Sequence, residues 1–394
     1  MFRPREKKKM FSFPTEIFYG KGEADNMPAI VKDLGYRALL VAAKKQLDQF
    51  QPIQDIITNL EKNNINVIVF DEIANNSDSA TVDTAASLAK SSQCDFIIGV
   101  GGDVVLNMAK AIALMITNPG DCSDYLTEQE GYSLKIDNKP LPSVMVPTML
   151  GSICEATPGF LLIDKEDGHK KKLYNSIITP VATVLDPQMT AILPANLIAP
   201  SMLMLLSYGV ELYISKGSNP VADTFALRTM ELVNNYLTSV LKDPNNMDTR
   251  MDLMMASLFV SYGAASAKLG AVYSVSESIN VFNPRIFKGM IASLLLPQFM
   301  EFNLTASSGK YVQVAKVLGE NVHKLSVLEA AIKAVEKVRR MVEECNIPSK
   351  LSELGFEKND IDNICRAFTR FSETKHLPRP ISGNELKTIL DQSY

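Results

Sequence analysis

The run Gly99-Val100-Gly101-Gly102-Asp103-Val104-Val105-Leu106-Asn107-Met108-Ala109-Lys110 is where this chain could bind and act beside an anion. An apolar stretch, Phe96 to Val100, leads into two adjacent glycines, and a helical pattern follows from Val104. Glycines at a strand-to-helix junction let the backbone approach a pyrophosphate, and the helix N-terminus favours its charge. Asp103 stands in that cradle, where its carboxylate would repel a pyrophosphate by about 1 kcal/mol or more at intermediate dielectric. The competing use of Asp103 is as the N-cap of the helix. Metal-binding and redox-active side chains are sparse. The three histidines (His169, His323, His376) are far apart, and the five cysteines (Cys94, Cys122, Cys154, Cys345, Cys365) contain no C-x-x-C pair. Such a set fits reduced thiols better than a disulfide framework. Cys154 follows apolar Ile153 with no histidine nearby in sequence, which predicts a buried structural thiol rather than a nucleophile.

The elements that must position this loop are legible as short apolar runs alternating with helical stretches. Ala38 to Ala42, Val67 to Phe70, Phe96 to Val100 and Val181 to Leu185 read as strands, with helices over Met27 to Leu34 and Thr81 to Lys90. Runs without in/out alternation predict strands buried on both faces of a parallel sheet with right-handed crossovers. From Leu193-Pro194 the pattern turns helical: Ala199 to Lys216, Pro220 to Leu241, Met247 to Leu269, Lys288 to Phe302 and Val327 to Cys345. The expected architecture is an α/β, Rossmann-like dinucleotide-binding domain over 1–194, an all-α domain over 195–394, and an active-site cleft between them. The length of 394 residues is enough for two such cores.

Bulk properties exclude several classes of partner. Hydrophobic residues make up 46% and charged residues 21%, with a net charge of −4, so nucleic acid and anionic lipid find no overall attraction. No apolar run approaches the roughly 18 residues that suggest a membrane span. The basic start, Met1 to Met10, lacks an apolar core and reads as a solvated arm rather than a targeting peptide. A reduced, cytoplasmic protein is expected.

Longer segments carry a family resemblance. Val146-Pro147-Thr148-Met149-Leu150-Gly151-Ser152-Ile153-Cys154-Glu155-Ala156-Thr157-Pro158 is similar to the P-T-T-A-G-T-G-S-E-V-T-P loop of the iron-containing alcohol dehydrogenases. The phosphate loop, ending in Ala109-Lys110-Ala111-Ile112-Ala113, resembles that family's G-G-G-S-x-x-D-x-A-K-x-I-A. Met204 to Tyr213 sits where the family has D-A-L-T-H-A-I-E-A-Y, and Glu211 to Asp223 is close to E-A-Y-V-S-K-G-A-N-P-x-x-D. Ile347 to Leu351 and Pro378 to Ser382 resemble its C-terminal landmarks. The chain is identified as a divergent member of this family, with its dehydroquinate synthase-like fold.

The resemblance implies a hydride-transfer scaffold whose metal ligands have been replaced. At the four ligand positions stand Met204, Tyr208, Tyr273 and Lys288, the last two within Gly270 to Glu277 and Phe287-Lys288-Gly289. A thioether, two phenols and an ammonium make no shell for iron or zinc. Tyr208, Tyr273 and Lys288 are expected to converge there, with Lys288 lowering a phenol pKa and Tyr208 or Tyr273 acting as general acid. The competing view is that Met204 and Tyr208, four apart on a helix, simply fill the vacated space. A nicotinamide cofactor is implied on Gly101, Gly102, Asp103 and Val104 of one loop and Thr148, Met149, Ser152 and Thr157 of the other. Lys172 matches a lysine near the nicotinamide, although His169-Lys170-Lys171-Lys172 also reads as a solvated basic turn. Ala43 and Lys44 replace the usual ribose-binding aspartate, which favours NADP over NAD unless Lys44 and Lys45 are plain surface lysines. The function implied is an NAD(P)-dependent, metal-independent reductase of a small carbonyl or imine, assembled as a homodimer or larger homo-oligomer. The alternative is a catalytically silent homologue that serves as a binding or assembly protein.

Overall fold

The computed structural model describes residues 13–74, 77–126 and 134–394; the basic segment Met1 to Met10 lies outside them. Among the described residues eight strands precede the helical half: β1 (Glu16–Tyr19), β2 (Arg37–Val41), β3 (Asn66–Phe70), β4 (Phe96–Gly101), β5 (Ser143–Pro147), β6 (Gly159–Ile163), β7 (Lys170–Tyr174) and β8 (Ala182–Leu185). Six of them form one parallel sheet in the order β1-β8-β5-β4-β2-β3. Successive residues of β2 serve opposite cores. Leu39 and Val41 pack under the helices Ser79–Ser91 and Asp103–Thr117, while Ala38 and Leu40 pack against Met27–Val31 and Gln51–Lys62. That double burial explains the unbroken apolar runs of the central strands. β3 departs from the expectation. It is the edge strand, and only Phe70 of its five residues is buried.

β6 and β7 were not legible as strands, because three consecutive lysines hide the alternation. They form an antiparallel hairpin with Gly159 opposite Tyr174 and Ile163 opposite Lys170. Lys170, Lys172 and Tyr174 therefore share one face, and Lys171 points the other way to Asp164 and Asp167.

Helices occupy the chain from Ala195 onward, and four were absent from the periodicity reading: Ala271–Phe282, Leu304–Val317, Ile361–Phe368 and Gly383–Gln392. Ala271–Phe282 is buried from Ala271 to Ile279, serines included, so no amphipathic stripe marks it. Ala195–Ile214 corrects another expectation. This 20-residue helix, of mean hydropathy 1.6, is long and apolar enough to cross a membrane, yet 94% of its apolar window is buried inside the protein. It is the central helix, apolar all round because Pro220–Lys242, Met247–Ser266, Ala271–Phe282 and Lys288–Phe302 surround it.

Candidate active site

Parallel pairing sets Val41 beside Gly99 and Gly101 beside Pro147, so the chain leaves β2, β4 and β5 at one edge of the sheet. Strand order reverses between β2 and β4, the crevice in which open α/β sheets bind ligands. Gly102, not Asp103, is the N-cap of Asp103–Thr117, and no side chain caps that helix. The expectation of Asp103 as N-cap is thereby corrected; its carboxylate is engaged elsewhere. Val104 follows Asp103 in the first turn. Thr148 donates its backbone N–H to Gly101 O at 3.0 Å, while its own Oγ1 is buried without a partner. A Cβ on Gly102 would fall 2.5 Å from Met149 Sδ, so the glycine keeps open a backbone approach that only a flexible thioether covers. An uncapped helix start, an orphaned hydroxyl and that open glycine fit a dinucleotide phosphate. At the end of β2, Ala43 caps a short helix and Lys44 Nζ reaches to 4.0 Å from Asp71 Oδ2.

The second loop is strapped from within. Lys110, wholly buried, donates to Cys154 O at 2.8 Å, to Thr157 Oγ1 at 3.1 Å and to Gly159 O. Ser152 is buried in the same loop, and burial, with the Asp103 charge adding to it, pushes the Cys154 thiol up to about 12. The expected inert thiol is what the structure has. Glu155 is stranger. Both carboxylate oxygens are buried without a well-formed hydrogen bond, and burial, only partly opposed by its own backbone N–H and the Ser152 hydroxyl, pushes its pKa up to about 8. The sign follows directly: from about pH 4.5 to 8 the unfolded chain releases a proton that the fold retains, so stability falls as pH rises. Glu155→Gln therefore melts above the parent at pH 8 by about 2 °C or more, with the gap closing toward pH 5. An equal gap at both values, read by calorimetry, contradicts a protonated Glu155.

A cleft with about 930 Å³ of empty space, its open mouth included, lies between β7, the start of Asp103–Thr117 and the helices of the second half. Its polar wall is a chain of ion pairs. Lys288 Nζ lies 2.6 Å from Asp103 Oδ2 and 2.5 Å from Glu277 Oε1. Lys170 Nζ takes the other oxygen of Glu277 at 2.5 Å and Asn280 Oδ1 at 3.0 Å. Lys172 Nζ holds Glu373 Oε1 at 2.9 Å. Burial works against the charges of Glu277 and Lys288, but Lys170 and Lys288 hold Glu277 well below the usual carboxylate range, and Asp103 with Glu277 holds Lys288 well above the lysine range. Asp103 and Lys288 are 185 residues apart. The intruding carboxylate of the phosphate loop and the misplaced ammonium of the second half neutralise each other.

Of the expected catalytic groups, Tyr273 and Lys288 line the cleft; Tyr208 does not. Tyr208 is buried behind Tyr273, ring centroids 5.8 Å apart at 72°. The lowered phenol pKa is corrected. Burial raises both phenols well above 10, and for Tyr208 this outweighs the opposing pull of Lys288. A neutral Tyr273 can donate a proton but cannot serve as a ready phenolate. It stands at the start of a helix braced by Glu211, whose carboxylate accepts from the backbone N–H of Gly270, Val272 and Tyr273 at 3.1, 2.6 and 3.2 Å.

The donor set does not fit divalent iron or zinc. Met204 packs against Gly151, where a Cβ would fall 2.6 Å from its Cε. Lys288 brings a positive charge, and among the described residues no group of three or more His, Cys, Asp or Glu could hold a metal ion.

Asp103, Val104, Thr157, Lys172, Tyr273 and Lys288 thus meet in one cleft. Gly101, Gly102, Thr148, Met149 and Ser152 sit on the adjoining loops, and Ala43 with Lys44 lies one strand away. Sequence reasoning missed Lys170, Lys268, Glu277 and Glu373. The two-residue spacing of Lys170 and Lys172 was the available signal for the first; the others are assembled from distant segments.

Comparison with known proteins agrees with this fold. Residues 14–187 match the iron-containing alcohol dehydrogenase model, and residues 198–394 match the C-terminal model of the Fe-containing alcohol dehydrogenase family. The NAD-dependent methanol dehydrogenase of Bacillus methanolicus is 25% identical over 96% of this chain and 98% of its own length. The 1,3-propanediol dehydrogenase of Klebsiella pneumoniae is 27% identical over 98% and 99%. A crystal structure of 1,3-propanediol oxidoreductase superposes with a TM-score of 0.91 at 27% identity, over 98% of this chain and all of that one.

Proposed function

The chain belongs to the iron-containing alcohol dehydrogenase family, and from that membership we propose that it is an NAD(P)H-dependent oxidoreductase that reduces a small carbonyl or imine without a catalytic metal. The observation that carries the metal-independent part is Lys288, a permanent cation in the cleft where resemblance puts a metal ligand. Nicotinamide, when bound, supplies the hydride; the protein supplies position, charge and a proton. Tyr273, held neutral, donates its hydroxyl proton to the substrate oxygen as negative charge develops there. Lys288 cannot shed its proton between two carboxylates, so it stabilises that charge as a fixed ammonium. Ile153, Phe160 and Leu161 give the cleft an apolar wall that excludes water. The first turn of Asp103–Thr117 receives the cofactor phosphates, with Thr148 and Met149 across from it.

Ala43 puts no carboxylate at the end of β2, and Lys44 is placed to turn from Asp71 to a 2′-phosphate, which favours NADP. The same reading makes the protein a cytoplasmic homodimer or larger homo-oligomer with neither nucleic acid nor membrane as partner, in line with its net charge of −4. Two measurements test it. Nicotinamide fluorescence should saturate with NADPH at lower concentration than with NADH, and aldehyde reduction should survive exhaustive chelation with no iron or zinc by elemental analysis. Activity that disappears on chelation and returns with iron ends the metal-independent reading. No binding of either cofactor at millimolar concentration leaves a catalytically silent homologue.

A further inference from the structure

Among the described residues, four ammonium groups line the cleft (Lys170, Lys172, Lys268 and Lys288) against three carboxylates (Asp103, Glu277 and Glu373). The surplus is local. Lys288 lies between Asp103 and Glu277, Lys170 shares Glu277, and Lys172 holds Glu373. Lys268 takes part in none of the described ion pairs. Its Nζ rests 4.4 Å from the centroid of the Tyr174 ring, and Lys172 Nζ lies 5.8 Å from the same ring. The Tyr174 hydroxyl donates to Ala265 O at 2.5 Å, which anchors that ring beside the two cations.

Two ammoniums thus lie against one aromatic ring, and the described ion pairs give them one carboxylate, Glu373, held by Lys172. Burial pushes Lys268 below the usual lysine range, and Lys172 pushes it further, with Glu373 opposing. A partly desolvated cation that faces a like charge is a costly arrangement unless an anion completes it. Lys268 lies three residues before the helix Ala271–Phe282 that carries Tyr273, so this cationic corner and the proton donor are neighbours along the chain.

We propose that Lys268 and Lys172 bind an anionic group carried by the substrate, so that the cleft selects small carbonyl compounds bearing a carboxylate or similar anion over neutral aldehydes and cationic imines. The proposal rests on the oxidoreductase reading above and names the substrate class of that same site. The cofactor's phosphates are the other possible source of the anion, and the experiment separates the two.

Reduction of 4-oxobutanoate and of pentanal, a neutral aldehyde of similar length, is compared in the parent protein, Lys268→Met and Lys268→Arg. Succinate and succinamide binding is followed in parallel by thermal shift, which needs no turnover. The parent should prefer the acid in kcat/KM by about tenfold or more, Lys268→Met should lose about tenfold of that ratio, and Lys268→Arg should regain most of it. Succinate, not succinamide, should raise Tm, and this rise should shrink in Lys268→Met. An acid-to-neutral ratio that is the same in parent and Lys268→Met overturns the proposal. So does a loss of NADPH affinity with that ratio unchanged, which assigns Lys268 to the cofactor. Succinate binding that depends on Lys268, with neither aldehyde reduced, upholds the anion site while refuting hydride transfer.

Discussion

Lys288→Met should weaken NADPH binding by about ten- to a hundredfold, equivalent to ~1.4–2.8 kcal/mol, and adding Asp103→Gly should restore most of that affinity. The reason is the pairing of Asp103 with Lys288 at 2.6 Å. Without the ammonium, the Asp103 carboxylate stands unneutralised in the first turn of the helix that receives the phosphates, and the repulsion read from the sequence appears in full. The single variant should also lose about 1–3 kcal/mol of stability, because removing one member of a part-buried pair leaves the other without its partner. Lys170 softens this for Glu277 but not for Asp103. Denaturant unfolding gives the stability and fluorescence titration the affinity. Asp103→Asn provides the control if Lys288→Met is poorly folded, since it should bind NADPH at least as well as the parent. Unchanged cofactor affinity in folded Lys288→Met, or weaker binding in Asp103→Asn, contradicts the compensating pair.

Tyr273→Phe should lower kcat for carbonyl reduction by about 10²–10⁴, the span of a lost general acid, with Tm nearly unchanged. Tyr208→Phe, buried behind it, should cost turnover less than about threefold. The pH profile carries a second mark. A proton donor works only below its pKa, and burial holds the Tyr273 phenol well above 10, so reduction should show no fall from this group up to about pH 10. A limb falling near neutrality and abolished by Tyr273→Phe would restore the phenolate reading. Equal losses in the two variants would move the proton donor to the back of the pocket.

The error about the phenols is instructive. Lys288 does lower the Tyr208 pKa, as a neighbouring cation must, but a sequence does not reveal how much water each ring has lost. Burial proved the larger effect. The lysine run of β7 failed for a related reason: alternate lysines on a strand look like a solvated turn until the facing carboxylates, Glu277 and Glu373, are known. Glu277 stands at the end of a motif that the sequence displayed, yet nothing local gave it a partner.

From the chain alone, the strands β2, β3, β4 and β8, the longer helices of the second half and the family were already legible, with the phosphate loop and the four replaced ligand positions as what the resemblance implies. Each rests on residues near one another in sequence or on a motif of fixed spacing, where local propensity and burial pattern decide the outcome. Tertiary structure alone decided that Asp103 and Lys288 cancel, that Tyr273 rather than Tyr208 faces the cleft, and that Lys268 enters the cleft outside the described ion pairs. Those outcomes depend on charges brought within hydrogen-bond reach from segments as much as 201 residues apart, and on which side chains lose water there. Coulomb energy and desolvation are set by distance and burial in three dimensions, and neither is written in the spacing along the chain.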